Sequence, residues 1–118
     1  MKTFEIWLAD IGVCIGDTVY DGLQPAVIVA AEPEREDDPM VTIVPCTEDL
    51  CFRQRQTHVL LQGQGLRQES RALCERIMTV DKSQLRRKLG EVTEPYDRFA
   101  IRRALSVHLG IPEVWEWA

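Results

Sequence analysis

Apolar and polar residues first alternate over Phe4-Glu5-Ile6-Trp7-Leu8-Ala9-Asp10. Phe4, Ile6 and Leu8 share one face, the pattern of a half-buried strand. Residues 11–24 carry Gly12, Gly16, Asp17, Asp21 and Gly22 and read as a long loop; loops of that length without structure are usually functional or mobile. Pro25 then opens Ala26-Val27-Ile28-Val29-Ala30-Ala31, a short run rich in β-branched residues that predicts a central strand buried on both faces. Proline is tolerated at the first strand position. An acidic stretch, 32–39, predicts a turn or loop that aids solubility and protects a sheet edge. Met40-Val41-Thr42-Ile43-Val44 predicts a third strand, stopped by Pro45. Residues 46–56 are polar and irregular. Thr57-His58-Val59-Leu60-Leu61 predicts a fourth strand, with a turn through Gly63 and Gly65, and residues 70–80 predict a fifth.

From Asp81 the pattern changes. The Asp81 carboxylate is a suitable cap for a short helix through Leu89, and Gly90 ends it. A longer helix is predicted from Thr93 or Glu94, with Pro95 in its first turn. At about 100° per residue, Tyr96, Ala100, Ile101, Ala104, Val107, His108 and Ile111 fall on one face and Arg98 and Arg102 lie opposite. That describes an amphipathic helix laid on a sheet, with His108 as a satisfied core residue. Gly110 and Pro112 end it. Five short strands, one small helix and a final amphipathic helix make a mainly β chain with a small, strongly curled sheet or barrel. Parallel α/β is disfavoured, because no crossover helices separate the strands.

At 118 residues and 45% hydrophobic content, the chain fits one domain with its own core, spanning 1–118 with a tail at 112–118. No stretch approaches the roughly 20 apolar residues that span a bilayer. The opening Met1-Lys2-Thr3-Phe4-Glu5 lacks the apolar core of a signal peptide, so a soluble, cytoplasmic location is expected. Cys14, Cys46, Cys51 and Cys74 form no Cys-x-x-Cys pair and there are only two histidines, so no structural zinc is expected and the thiols read as reduced packing residues. The net charge of −5 is unevenly spread. Over 1–51, Lys2 and Arg35 face eleven carboxylates, a balance of −9; over 52–118, twelve Lys/Arg face eight carboxylates, a balance of +4. Such asymmetry hints at a polyanion-binding face; the plain alternative is a solvated surface whose halves mix in the fold.

Many chemistries are absent from the pattern: no phosphate-binding Gly-x-x-x-x-Gly-Lys, no Gly-x-Ser-x-Gly elbow, no histidine pair for a metal. A Ser-His-Asp or Cys-His system would have to rest on His58 or His108, and nothing nearby in the sequence supports either. What remains is polar chemistry at strand ends and loops: Asp17, Thr18, Tyr20, Asp21, Gln24, Thr47, Glu48, Glu75 and Arg76. A carboxylate beside a guanidinium and a hydroxyl permits acid–base cleavage of RNA without a metal, using the ribose 2′-OH as nucleophile.

Four segments, in order, resemble the MazF/PemK (Kid) family of toxin endoribonucleases. They are Phe4–Asp10, similar to the family's opening strand; the loop Gly16–Gly22 with Leu23-Gln24-Pro25-Ala26-Val27-Ile28-Val29, similar to its Gly-x-Arg-Pro-apolar strand; Val41-Thr42-Ile43-Val44-Pro45-Cys46-Thr47, similar to its strand ending in Pro-x-Thr; and Leu73–Leu85 with Gly90 after it, similar to its acidic-Gln-apolar-x-Thr-apolar-Asp stretch. Each motif alone is weak; four in register, reaching to about Ile111, are fairly specific. The resemblance implies an SH3-like (CcdB/MazF-type) β-barrel with a C-terminal helix, a homodimer, cofactor-free cleavage of single-stranded RNA at short sequences, and a neutralising antitoxin. Thr47 matches the family's catalytic threonine, and Glu75 an acidic position used by some members. The loop with Gly16, Asp17, Thr18 and Tyr20 matches the one that borders the RNA. Arg53 and Arg55 join these as phosphate contacts on charge placement.

Two departures bear on catalysis. Gln24 stands where the family has its catalytic arginine, and a neutral amide supplies no full positive charge to a phosphorane. Arg76 stands where a glutamine usually follows the acidic residue, either restoring that charge from the other side of the site or pairing with a surface carboxylate. Two other readings stay open: a relative that kept the fold but lost cleavage at Gln24 and binds RNA or antitoxin, and a CcdB-like gyrase poison using the Trp115/Trp117 tail as a protein surface.

Overall fold

The structure is a computed structural model that describes residues 1–15, 18–20, 22–31, 37–51 and 53–112; for 13–15 and 18–20 it describes the backbone path alone. Its strands are β1 (Glu5–Asp10), β2 (Val13–Ile15), β3 (Thr18–Tyr20), β4 (Leu23–Ala30), β5 (Met40–Thr47), β6 (His58–Leu61), β7 (Ser70–Leu73), β8 (Met78–Asp81) and β9 (Leu85–Glu91), followed by helix α1 (Pro95–Leu109). β2 and β3 form a small two-stranded sheet. The other seven form one sheet, ordered β6-β7-β5-β4-β1-β9, with β8 also beside β5. Every pairing is antiparallel. The mainly β class with a C-terminal helix is as expected. The sheet is not a closed barrel: β6 and β9 end the path, with no ladder between them among the described residues.

Both faces of the sheet are buried at its centre, which is why β4 reads as a continuous apolar run. Ile6, Val27, Val44, Cys46, Val59, Leu61 and Ala72 pack on one face with Ile101 and Ala104 of α1. Ala9, Ala26, Ile28, Val41, Ile43, Val80 and Leu85 form a second cluster on the other. Alternation along β4 sends Val27 to the first face and Ala26 and Ile28 to the second.

Several expected boundaries move, each because strand pairing is decided by distant residues. Residues 11–24 are not one long loop: β2 and β3 pair as a hairpin, Gly22 closes on Ile11 through a 2.9 Å backbone bond, and β4 begins at Leu23. Neither proline bounds a strand. Pro25 is the third residue of β4, opposite Leu8, and β5 runs through Pro45 to Thr47. Pro45 lies where β5 leaves β8 at Ile43 and meets β7 at Cys46, a junction between ladders, where a missing N–H is tolerated.

The single strand expected at 70–80 is two. Cys46 faces Ala72 and Ile43 faces Met78, so three steps along β5 match six along the other chain segment. The excess is taken up by a 3-10 turn, Cys74–Arg76, which lifts Glu75 and Arg76 out of the ladder. Asp81 does cap, with the reciprocal bonds of a capping box to Ser83 and Gln84, but the helix is only the 3-10 turn Lys82–Gln84. Residues 85–91 are strand β9 because β1 offers an open edge for them. Gly90 there packs against the turn after β6, where a Cβ would overlap the Gln64 carbonyl.

Helix α1 begins at Pro95, one residue after the later of the two expected starts, and its buried side centres on Ile101 and Ala104. Tyr96 is exposed, and so is His108, which is therefore not a core residue. Arg98 and Arg102, expected to face solvent, lie over the Phe4 ring, 5.0 and 4.8 Å from its centroid. Their long stems cover apolar surface while the guanidinium groups meet the π-face. The N-cap residue, Glu94, makes no side-chain cap bond. Gln64 instead ties the β6–β7 connection to the chain entering the helix: its Oε1 accepts from Thr93 N (2.9 Å) and Glu94 N (3.3 Å), and its Nε2 donates to Asp97 (3.0 Å). Gln64→Ala is therefore expected to cost about 1–2 kcal/mol, the loss of these hydrogen bonds. A urea titration reads this as a lower midpoint at unchanged slope; a midpoint equal to wild type removes this anchoring role.

Candidate functional site

The site is built across strand ends. Thr47 is the last residue of β5 and pairs with Arg71 of β7, which pairs on its other side with Leu60 of β6. Their neighbours Cys46, Ala72 and Val59 are core residues, so alternation sends Thr47, Arg71 and Leu60 to the opposite face. The β4–β5 ladder ends at Ala26–Pro45, so Gln24 lies two residues beyond it on β4, at the same end of the sheet as Thr47. Thr47 and Arg71 thus form a pair across two neighbouring strands, with Gln24 past the end of the β4–β5 ladder, and each is half-buried.

Turn geometry sets the polar groups beside this pair. Thr47 Oγ1 accepts from Asp49 N (3.1 Å), and Asp49 Oδ1 accepts from Cys51 N (3.0 Å), so the chain folds back directly after β5. With its oxygen engaged as acceptor, the Thr47 hydroxyl keeps its proton to donate. The Arg71 guanidinium reaches over this turn to the Leu50 carbonyl, 3.4 Å from Nη2. Beside it, Glu48 accepts from Arg67 (2.7 Å) and from Gln68. The Arg67 hydrogen bond holds the Glu48 carboxyl below its ordinary range, against a small opposing effect of burial.

Glu75 belongs to a second cluster that the sequence did not reveal. Thr57 Oγ1 donates to its Oε2 (2.8 Å), and His58 Nε2 lies 2.9 Å from its Oε1. His58 Nδ1 accepts from Arg55 N at 3.1 Å. A neutral imidazole has one donor nitrogen, so acceptance at Nδ1 places the proton on Nε2, donating to Glu75. Burial pushes the Glu75 carboxyl up, but hydrogen bonds from Thr57, from its own backbone N–H and from His58 together outweigh it and leave the group below its ordinary range. This is not a nucleophilic triad: the second histidine nitrogen meets a backbone amide. Neighbouring Cys74 is a buried thiol pushed up to about 12, first by burial and then by Glu75. His58, Leu60, Tyr96, Phe99 and Arg103 line a cleft of 410 Å³ between β6 and α1.

The structure therefore pairs Thr47 with Arg71, leaves Gln24 just past the β4–β5 ladder, and turns Glu75 toward Thr57 and His58. Arg76 is exposed on the turn beside Glu75, and Arg53 and Arg55 are exposed in the β5–β6 connection. Thr18 and Tyr20 lie in β3; their side chains, and Gly16 and Asp17 entirely, fall outside the described residues. Cys51 is exposed, unlike the buried Cys46 and Cys74, so it is not a packing residue. Among the described residues no group of three or more His, Cys, Asp or Glu is placed to hold a metal ion. Among the described residues no helix is long and apolar enough to cross a membrane. The pairing of Arg71 with Thr47 joins residues 24 apart in sequence, so no local pattern shows it.

A sequence profile for the family described as PemK-like, MazF-like toxin of type II toxin-antitoxin system matches residues 2–109. The chain belongs to that family. It is similar to an endoribonuclease MazF of Staphylococcus epidermidis, 28% identical over 109 residues, covering 91% of this chain and 89% of that one. The fold is similar to that of the Mycobacterium tuberculosis toxin MazF-mt6, with a TM-score of 0.75 at 23% identity over 92% of this chain and 99% of that one. It is also similar to a mycobacterial endoribonuclease solved in complex with its cognate antitoxin, with a TM-score of 0.73 at 26% identity over 94% and 96% of the two chains. The PemK/MazF assignment agrees with the order of motifs along the chain, from the β1 strand to the end of α1.

Proposed function

We propose that this chain is the toxin of a type II toxin–antitoxin pair: a metal-independent, sequence-specific endoribonuclease that cuts single-stranded RNA in the cytoplasm, works as a homodimer, and is neutralised by a cognate antitoxin. The observation that carries the reading is the family match over residues 2–109. Thr47, the residue similar to the family's catalytic threonine, stands at a strand end with its hydroxyl proton available. Relatives support the nuclease and antitoxin parts of the reading, one being named an endoribonuclease and another having been solved with an antitoxin.

In this reading the ribose 2′-oxygen attacks the adjacent phosphorus and its proton passes to a base. The P–O5′ bond breaks and the leaving O5′ takes up a proton. The products are a 2′,3′-cyclic phosphate and a 5′-hydroxyl. Thr47 donates to a non-bridging phosphate oxygen, where charge develops. Gln24 offers N–H groups to the same region but no charge. The exposed Arg53 and Arg55 meet flanking phosphates. At micromolar concentration the protein should sediment at twice the chain mass and, in excess chelator, cut a single-stranded RNA pool at a short recurring sequence. Thr47→Ala should slow cutting by about 10²–10³-fold. A wild type that cuts no RNA pool shifts the assignment to the binding-protein reading; one whose cutting stops in chelator ends the metal-independent mechanism.

A further inference from the structure

The geometry points to Arg71 as the cation that meets the RNA phosphate beside Thr47, standing in for the charge that Gln24 does not supply. This rests on the nuclease reading above. Three observations place the charge. Thr47 and Arg71 are direct partners in the β5–β7 ladder. β4 flanks β5 on the side away from β7, and Gln24 sits on β4 two residues past the last β4–β5 pair, Ala26–Pro45. The core packing of Cys46 and Ala72 then directs Thr47 and Arg71 to one common face. A guanidinium carried on β7 therefore approaches Thr47 from the side opposite Gln24, and its Nη2 already lies over the turn that follows Thr47, at the Leu50 carbonyl.

The other arginines nearby are placed less well. Arg67 is engaged by Glu48 at 2.7 Å. Arg76 is exposed on the 3-10 turn, next to a carboxylate whose two oxygens face Thr57 and His58. Arg53 and Arg55 lie in an exposed connection outside the strands. Arg71 alone among these is fixed by strand pairing to Thr47. A guanidinium suits the task because its fork of N–H donors matches two phosphate oxygens and it stays charged at any physiological pH. In the cleavage step it loses and gains no proton: it stabilises the phosphorane as the 2′-O–P bond forms and the P–O5′ bond breaks.

Two readouts on the intact protein test this: the cleavage rate on RNA, and affinity for the same sequence with 2′-O-methyl groups, which binds without being cut. Arg71→Gln should slow cleavage about 10²–10³-fold. It should also reduce the salt dependence of binding by roughly 0.7 in slope, the share of one phosphate contact on a single strand. Gln24→Arg should raise the rate of Arg71→Gln about a hundredfold, but that of the wild type by under about tenfold, because there the charge is already present. The wild-type arm of this comparison stands even if Arg71→Gln does not fold. A wild type gaining a hundredfold from Gln24→Arg overturns the proposal. So does Arg71→Gln that cuts and binds as wild type does, or loss of cutting in Arg76→Ala with Arg71→Gln still active. A wild type that cuts nothing, yet loses affinity and salt slope in Arg71→Gln, fails the nuclease reading and keeps Arg71 as the phosphate contact.

Discussion

Phe4→Ala is expected to lower stability by about 3–5 kcal/mol, the cost of truncating a well-packed buried aromatic residue. Phe4 is 4% exposed and belongs to the main core cluster. Its ring carries both Arg98 and Arg102, so its loss removes two cation–π contacts as well as the packing that seats α1 on the sheet. Its backbone joins the sheet and the segment that leads into the helix: Phe4 N donates to Ile28 O, and Phe4 O accepts from Val92 N at 2.7 Å. Phe4 achieves this at a φ of 75°, in the left-handed region that a bulky residue rarely occupies. Such strain costs of order 1–3 kcal/mol and is held by the surrounding contacts. Glycine relieves it, so Phe4→Gly should be more stable than Phe4→Ala by about 1 kcal/mol, the reverse of the usual order. Urea unfolding of the two variants decides the matter. A loss under about 1 kcal/mol in Phe4→Ala, or a glycine variant weaker than the alanine one, contradicts this account.

Glu75→Ala should cost about 2–3 kcal/mol, because it strands partners that are out of water. The His58 side chain is 2% exposed, and its Nε2 proton has Glu75 as acceptor. Thr57 loses its acceptor at the same time. The interaction also carries a pH signature. In the folded protein the Glu75 carboxyl is held below its ordinary value of 4.5 by Thr57, its own backbone N–H and His58, despite the opposing push of burial. A carboxylate depressed on folding contributes stability that is fully present above its ordinary value and is lost as pH falls through the folded one. Glu5 behaves in the same way: burial raises it, but hydrogen bonds from Trp7 and Lys88 lower it further. Stability should therefore fall on acidification below about pH 4.5 and stay level just above it. Glu75→Gln keeps an acceptor for His58 but removes the titration, so its acid limb should be shallower. Wild type and Glu75→Gln losing stability in parallel as the pH drops would show that Glu75 is not part of the acid response.

The strands β1, β4, β5 and β6 and the helix α1 were legible because each carries its own signal: alternation at Phe4–Asp10, a β-branched run at Ala26–Ile28, and Pro95 with a helical apolar stripe after it. The family motifs, and with them Thr47, Gln24 and Glu75 as candidates, were legible for the same reason, being local strings of residues. Where pairing had to be known, the sequence was silent. Nothing local says that residues 85–91 continue as a strand after the Asp81 cap, since it is the free edge of β1 that makes them one. Nothing local splits 70–80, since the split follows from a three-residue excess against β5. The helix face was misjudged by the width of two arginines, because periodicity locates an apolar stripe but not the aromatic ring that Arg98 and Arg102 cover. His58 looked idle until β6 and the turn after β7 brought it to Glu75. The place of Arg71 beside Thr47 was fixed only when β7 paired with β5. Composition and periodicity act through the free energy of burial, which each segment expresses on its own. Register, partner and charge placement depend on residues brought together from far along the chain, so they were decided only when the sheet assembled.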